Sequence, residues 1–194
     1  DVGELFLRLK EPGRAADLGV AITLDDGYTD QVRVAGPIFA EFDCPATVFL
    51  TTGFLDGELW QWWDRIEYLF DHCPRREIAT EVGGTRLRYE WSTATGRAEA
   101  TADFVEQCKR VPEQARQEAI QHLTVAAEVE LPVLPPERYA PMSWTEVQQW
   151  EDRGLTFGPH TVTHPILSRT SDEQSRREIA GSWERVCAMT RRPI

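Results

Sequence analysis

The chain has 194 residues, long enough for one domain to bury a sizeable core without disulfide staples. Its 21 Lys and Arg against 32 Asp and Glu leave a net charge of -11, which argues against nucleic acid or an anionic membrane as partner and suits a neutral or polar substrate. No run approaches the roughly 18 consecutive apolar residues of a membrane span, and no charged-then-apolar leader opens the given sequence, although it begins at Asp1 and not at Met.

"GVAITL" (19–24) reads as a short buried strand, and "QVRVAGPIFAEFD" (31–43) as a helix broken or kinked near Gly36-Pro37, with Val32, Val34, Ile38, Phe39 and Phe42 at helical spacing. "ATVFLT" (46–51) is a second buried strand. Strand, helix and strand within so short a span make a βαβ unit, which implies parallel pairing and an α/β class. "ELWQWWDRIEYLF" predicts a core-facing amphipathic helix; the competing reading places one of its three tryptophans in a sugar-binding cleft. "EIATEVGGTRLRYEW" reads as a hairpin about Gly83-Gly84, residues 96–130 as helix interrupted at Pro112, and "LPVLPPERYAP" as a Pro-rich connector. The region at about 76–140 is thus expected as an insertion within a single 1–194 domain. "SWTEVQQWEDRG" is a helix with a capping box at Ser143 and Glu146, ended by Gly154. "LTFG" is a third strand, and a last helix opens at Ser171 or Asp172.

Cys44, Cys73, Cys108 and Cys187 form no CxxC pair. That spacing does not suit structural zinc, and free buried thiols are expected, which favours a cytoplasmic location.

Two short stretches carry chemistry. "AITLDDGYTD" (21–30) sets Asp25 and Asp26 at the end of the first strand; the simplest reading is an Asp-Gly hairpin turn. "GPHTVTHPILS" follows the third strand and holds His160 and His164, whereas His72 and His122 are isolated and read as surface or helix-face residues. In a parallel α/β sheet the loops leaving the carboxyl ends of strands share one face, so these stretches can meet. Two histidines and one carboxylate form a three-ligand set with open positions, and the other aspartate can then take a proton from water.

"TLDDGYTD" and "HTVTHP" resemble the first two motifs of the polysaccharide deacetylase family, the NodB-homology or carbohydrate esterase family 4 domain, and "CPATVFLTTGF" and "MSWTEVQQWEDRGLTFGPHTVTHP" extend the resemblance. It implies a distorted (β/α) barrel of about seven strands, of which this sequence offers four or five. It also implies hydrolytic N-deacetylation of an N-acetylated glycan, with Asp25 as general base and Asp26, His160 and His164 as ligands of a divalent metal ion, Zn2+ first, with Co2+ and Ni2+ as alternatives. Thr161 or Thr163 would hold the second loop by hydrogen bonds. The family's third motif has no counterpart before "TRRPI", which predicts a barrel truncated at its carboxyl end and self-association through its open edge. Two other functions stand beside the deacetylase: hydrolysis of small cyclic amides or ureides, and a catalytically incomplete metal- or glycan-binding remnant.

Overall fold

The computed structural model describes residues 1–11 and 19–191. In chain order these form α1 (Val2–Lys10), β1 (Ile22–Asp26), α2 (Gly36–Glu41), β2 (Ala46–Leu50), α3 (Thr52–Leu55), α4 (Trp62–His72), β3 (Glu77–Val82), β4 (Thr85–Glu90), α5 (Ala94–Lys109), α6 (Glu113–Ala127), α7 (Trp144–Glu151), β5 (Leu155–Pro159) and α8 (Asp172–Met189). They divide into two compact units, one of Asp1–Leu59, Glu137–His164 and Asp172–Ile194, the other of Trp60–Pro136 with Pro165–Ser171.

The first unit is built on a parallel sheet in the order β1-β2-β5. The expected strand at 19–24 runs instead from Ile22 to Asp26, so both aspartates are its last residues. Asp26 and Gly27 do turn the chain, with φ of 78° and 92°, but not into a hairpin. The loop is tied elsewhere: the Met142 N–H donates to the Gly27 carbonyl at 2.9 Å and the Thr29 N–H to that of Ala140 at 3.0 Å. The chain then returns through helix to β2, which pairs with β1 in parallel. β2 is the middle strand, and its Ala46, Val48 and Leu50 are fully buried against Val32, Val147 and Phe157.

The break near Gly36-Pro37 takes the form of a π-helical turn at Gln31–Ala35, whose Gly36 N–H reaches back five residues to the Gln31 carbonyl. Pro37 stands second in the first turn of α2, where a missing N–H breaks no helical bond. Of the apolar residues expected on one face, Val32 is buried, whereas Val34, Ile38 and Phe42 are exposed. The packed face is the one carrying Gly36, because a Cβ there would lie 2.9 Å from the ring of Trp150 and only glycine admits that ring. α7 opens with the expected capping box, in which Ser143 and Glu146 satisfy one another's backbone donors.

The fold of the described residues is mixed α/β with no closed sheet. β3 and β4 are not barrel strands: they pair antiparallel with one another, in register from Glu77↔Glu90 to Val82↔Thr85. Gly83 and Gly84, with φ of 55° and 83°, supply the two positive-φ positions of the connecting turn. In this second unit β3 buries Ile78 and Val82, four residues apart on one face of the strand, against α4, α5 and α6. Phe70, Phe104, Ile120 and Leu123 fill the core. The tryptophan helix faces that core as expected: Trp62 is buried with the Arg116 guanidinium 4.5 Å from its ring centroid, and Trp63 packs against the same cluster. Pro112 separates α5 from α6 where the sequence predicts an interruption.

The four thiols are free, but they are not all buried. Cys108 is fully buried, Cys44 and Cys73 are half-buried, and Cys187 is exposed on α8. No helix of the described residues is long and apolar enough to cross a membrane. Burial pushes the Cys108 thiol up to about 12. Alkylation of the native protein at neutral pH is therefore expected to label Cys187 rapidly and leave Cys108 unmodified until denaturant is added, as read by peptide mass mapping.

Candidate metal centre

The parallel register fixes where the two chemical stretches meet. Leu50 at the end of β2 is level with Asp26 on one side and Pro159 on the other. The ladder continues past the strands, because the Thr51 N–H donates to the Asp26 carbonyl at 3.2 Å and the His160 N–H to that of Leu50 at 2.8 Å. Asp26 and His160 are therefore one strand apart, two spacings of about 4.8 Å. Side chains of ordinary length can converge across such a gap.

They do converge. His164 Nε2 lies 3.2 Å from His160 Nε2 and 3.2 Å from Asp26 Oδ1, and His160 Nε2 lies 3.7 Å from that oxygen. Asp26 Oδ1 is buried and accepts no hydrogen bond. Its φ of 78° is the left-handed conformation that Asp tolerates better than bulky residues. Asp25 sits on the exposed side of the strand's alternation, with Leu24 and Asp26 on the more buried side.

Donors held at about 2.0–2.1 Å from a common tetrahedral centre stand about 3.3–3.4 Å apart. The three observed separations, 3.2, 3.2 and 3.7 Å, bracket that value. Two imidazole nitrogens and one carboxylate oxygen, the last lacking any hydrogen donor, fit a divalent ion. Burial lowers the pKa of His160 below the ordinary histidine value and the neighbouring His164 acts in the same direction, while the carboxylates of Asp26 and Asp25 oppose them. The net direction favours a neutral imidazole, the form with a lone pair to give.

The loop 160–164 is not a regular turn. Thr161 and His164 adopt φ of 67° and 53°, which for residues with side chains costs about 1–2 kcal/mol each. Its backbone is held from two sides. The Thr52 and Gly53 N–H groups donate to the Thr161 and Val162 carbonyls at 3.1 and 2.9 Å, and the Val162 and Thr163 N–H groups both donate to Glu178 Oε2 at 2.8 Å. The Thr161 hydroxyl accepts from the His164 N–H at 3.1 Å and the Thr163 hydroxyl donates to Glu178 Oε1 at 2.6 Å, so both threonines hold the loop. Glu178 itself was passed over in the sequence. The signal available was its place on α8 four residues before Ser182 and eight before Val186, a stripe that is buried throughout.

His72 and His122 lie in the second unit, exposed on α4 and α6. Arg192 and Pro193 of the terminal "TRRPI" lie outside the described residues.

Residues 135–194 match the polysaccharide deacetylase family model. The family resemblance holds for the segment that carries His160 and His164, while Asp25 and Asp26 precede the matched deacetylase residues. No curated protein matches the chain. Among solved structures, the Streptococcus pyogenes deacetylase PplD in complex with acetate aligns with a TM-score of 0.52 at 16% identity, over 97% of this chain and 49% of that one. The chain thus spans about half the length of PplD, and at this identity the likeness concerns the fold. The BpsB deacetylase domain from Bordetella bronchiseptica aligns over 82% of this chain and 47% of that one at 14% identity, with a TM-score of 0.36, too low to carry an argument.

Two outcomes follow from this geometry. Replacing His160 or His164 by Ala is expected to abolish stoichiometric uptake of Zn2+ or Co2+ while the protein still melts cooperatively, measured by elemental analysis and calorimetry. Gly53→Ala puts a Cβ 2.8 Å from the Val162 carbonyl oxygen, and urea denaturation is expected to show a loss of about 1–3 kcal/mol.

Proposed function

We propose that the chain is a metal-dependent hydrolase that removes N-acetyl groups from an N-acetylated polysaccharide. The observation that carries this reading is the convergence of Asp26, His160 and His164 on one point, with the orphaned Oδ1 of Asp26 among the donors. The deacetylase match over 135–194, the segment that carries both histidines, supports it. In this reading the 194 residues form one polysaccharide deacetylase-like domain with an inserted region at about 76–140, and β1, β2 and β5 belong to a distorted (β/α) barrel. β1 and β5 are the outer strands of their sheet, and we extend the proposal to self-association along those edges.

Asp26, His160 and His164 would hold the ion, which is Zn2+ on the chemistry of a two-nitrogen, one-oxygen donor set. A divalent ion bound here supplies a Lewis acid, acidifying water and stabilising negative charge that develops on an amide oxygen. Asp25 accepts the proton that water loses as it adds to the acetamide carbonyl carbon. The C–N bond then breaks; acetate leaves, and the amine takes up a proton from the Asp25 carboxyl or from solvent. Acetate, the molecule bound to PplD, is the product such a reaction would release here. Asp25 suits the base role better than Asp26, because it is the more exposed of the pair and stays outside the donor cluster.

The test is acetate release from N-acetylglucosamine oligomers by the purified chain after Zn2+ or Co2+ is supplied. Asp25→Asn is expected to keep one equivalent of metal and to lose about 10²- to 10⁴-fold in rate. If Asp25→Asn loses the metal and Asp26→Asn keeps it, the two roles are reversed. One equivalent of metal with no acetate released would select the catalytically incomplete metal- or glycan-binding form. Turnover of cyclic ureides in place of the oligomers would move the chain to the cyclic-amide hydrolases.

A further inference from the structure

We propose that Glu178 is the positioning residue of the metal centre: its carboxylate serves as an internal anchor that fixes the 160–164 loop, and so the relative placement of the two histidines. The inference rests on the metal-holding role proposed above for those histidines.

The loop places three residues between the two proposed ligands, and its backbone polar groups are held from two sides. Its carbonyls at Thr161 and Val162 are taken by N–H groups of Thr52 and Gly53. Its N–H groups at Val162 and Thr163 turn the other way and converge on a single oxygen of Glu178, both at 2.8 Å. Successive amides that follow a left-handed residue form a concave nest for an anion, and here Thr161 is that residue. The anion is a side chain of the protein itself, only 7% exposed. Its second oxygen is taken by the Thr163 hydroxyl at 2.6 Å.

The geometry also says why this seat is on α8. The helix presents Glu178, Ser182 and Val186 on its buried stripe, and three residues beyond Glu178 stands Gly181. A Cβ at Gly181 would already come within 3.2 Å of Val162 Cγ2. The smallest residue thus lets the helix lie close enough for a glutamate to reach the loop amides. α8 is itself held at its other end, where Arg185 donates to Asp56 at 2.6 and 3.0 Å and Asp56 also accepts from Trp144 Nε1 at 2.8 Å. Remove the anchor, and the Val162 and Thr163 amides that lie between the two left-handed residues lose their shared partner, leaving the two imidazoles free to separate.

What matters on this account is reach and one oxygen aimed at the two amides rather than charge. Glu178→Gln keeps an oxygen for the two amides and turns an N–H to the Thr163 hydroxyl, whereas Glu178→Asp keeps the charge but draws it back by one methylene. Each variant of the full chain is titrated with Co2+ and followed by visible absorption. Melting of the metal-free protein and amide hydrogen exchange at Val162 and Thr163 are measured in parallel. Outer partners of metal ligands typically change affinity by about 10- to 100-fold. Glu178→Asp is accordingly expected to bind Co2+ at least about tenfold more weakly with faster exchange at both amides, and Glu178→Gln to stay within about threefold of the parent. Should the Asp variant fail to fold, Thr163→Val replaces the hydroxyl by a methyl of similar size, and weaker Co2+ binding with faster exchange at Val162 is expected there as well. Parental affinity in a folded Asp variant, equal losses in the Asp and Gln variants, or no change in Thr163→Val would overturn the inference while leaving the proposed function standing. A parent chain that takes up no Co2+ would overturn both.

Discussion

Everything chemical in this protein depends on a parallel register. Because Leu50 is level with both Asp26 and Pro159, two strand ends far apart in sequence finish at the same height on either side of one central strand. A shift of one residue would turn the alternate side chains over and carry Asp26 to the outer side of the pleat. The register is guarded by the apolar side chains of β2, which are fully buried at alternate positions. The threonine between them, Thr47, pairs its hydroxyl with that of Thr156 on β5 at 2.9 Å. Core packing and site geometry are therefore one constraint.

The second dependence is the backbone accounting of the 160–164 loop. A loop that carries two of the proposed ligands must resist relaxing, yet two of its residues sit in a conformation that L side chains disfavour. Two elements of the first unit compel it, α3 through its amides and α8 through a buried carboxylate. Each satisfies a different set of the loop's polar groups, and so neither substitutes for the other. Asp25 lies outside the cluster, on the opposite and more exposed parity of β1 from Asp26.

The second unit follows different rules. Its hairpin and three helices close around an aromatic core, with Phe70 packed on Tyr89, Trp91 and Phe104 at centroid distances of 5.8, 5.7 and 6.0 Å. The tryptophans that could have suggested a sugar cleft spend their area here, since Trp62 is buried beneath Arg116.

Much of this was legible without coordinates. The strand at 46–50, the break at Gly36-Pro37, the Gly83-Gly84 hairpin, the Pro112 interruption and the capping box at Ser143 each rest on local sterics or on hydrogen bonds spanning a few residues, which the residue types alone dictate. The pairing of "DDG" with "HTVTH" was legible too, through a resemblance and through the rule that strand ends share a face. The sequence could not say that Asp26-Gly27 turns without forming a hairpin, that Val34, Ile38 and Phe42 stay exposed, that Cys187 faces solvent, or that β3 and β4 keep to themselves. It was equally silent on Glu178. Those outcomes depend on which distant surfaces meet: Trp150 against Gly36, residues 140–142 against Gly27, α8 against Val162. Local chemistry decides what each segment can be, whereas contacts between remote segments decide which groups are buried, aimed and held.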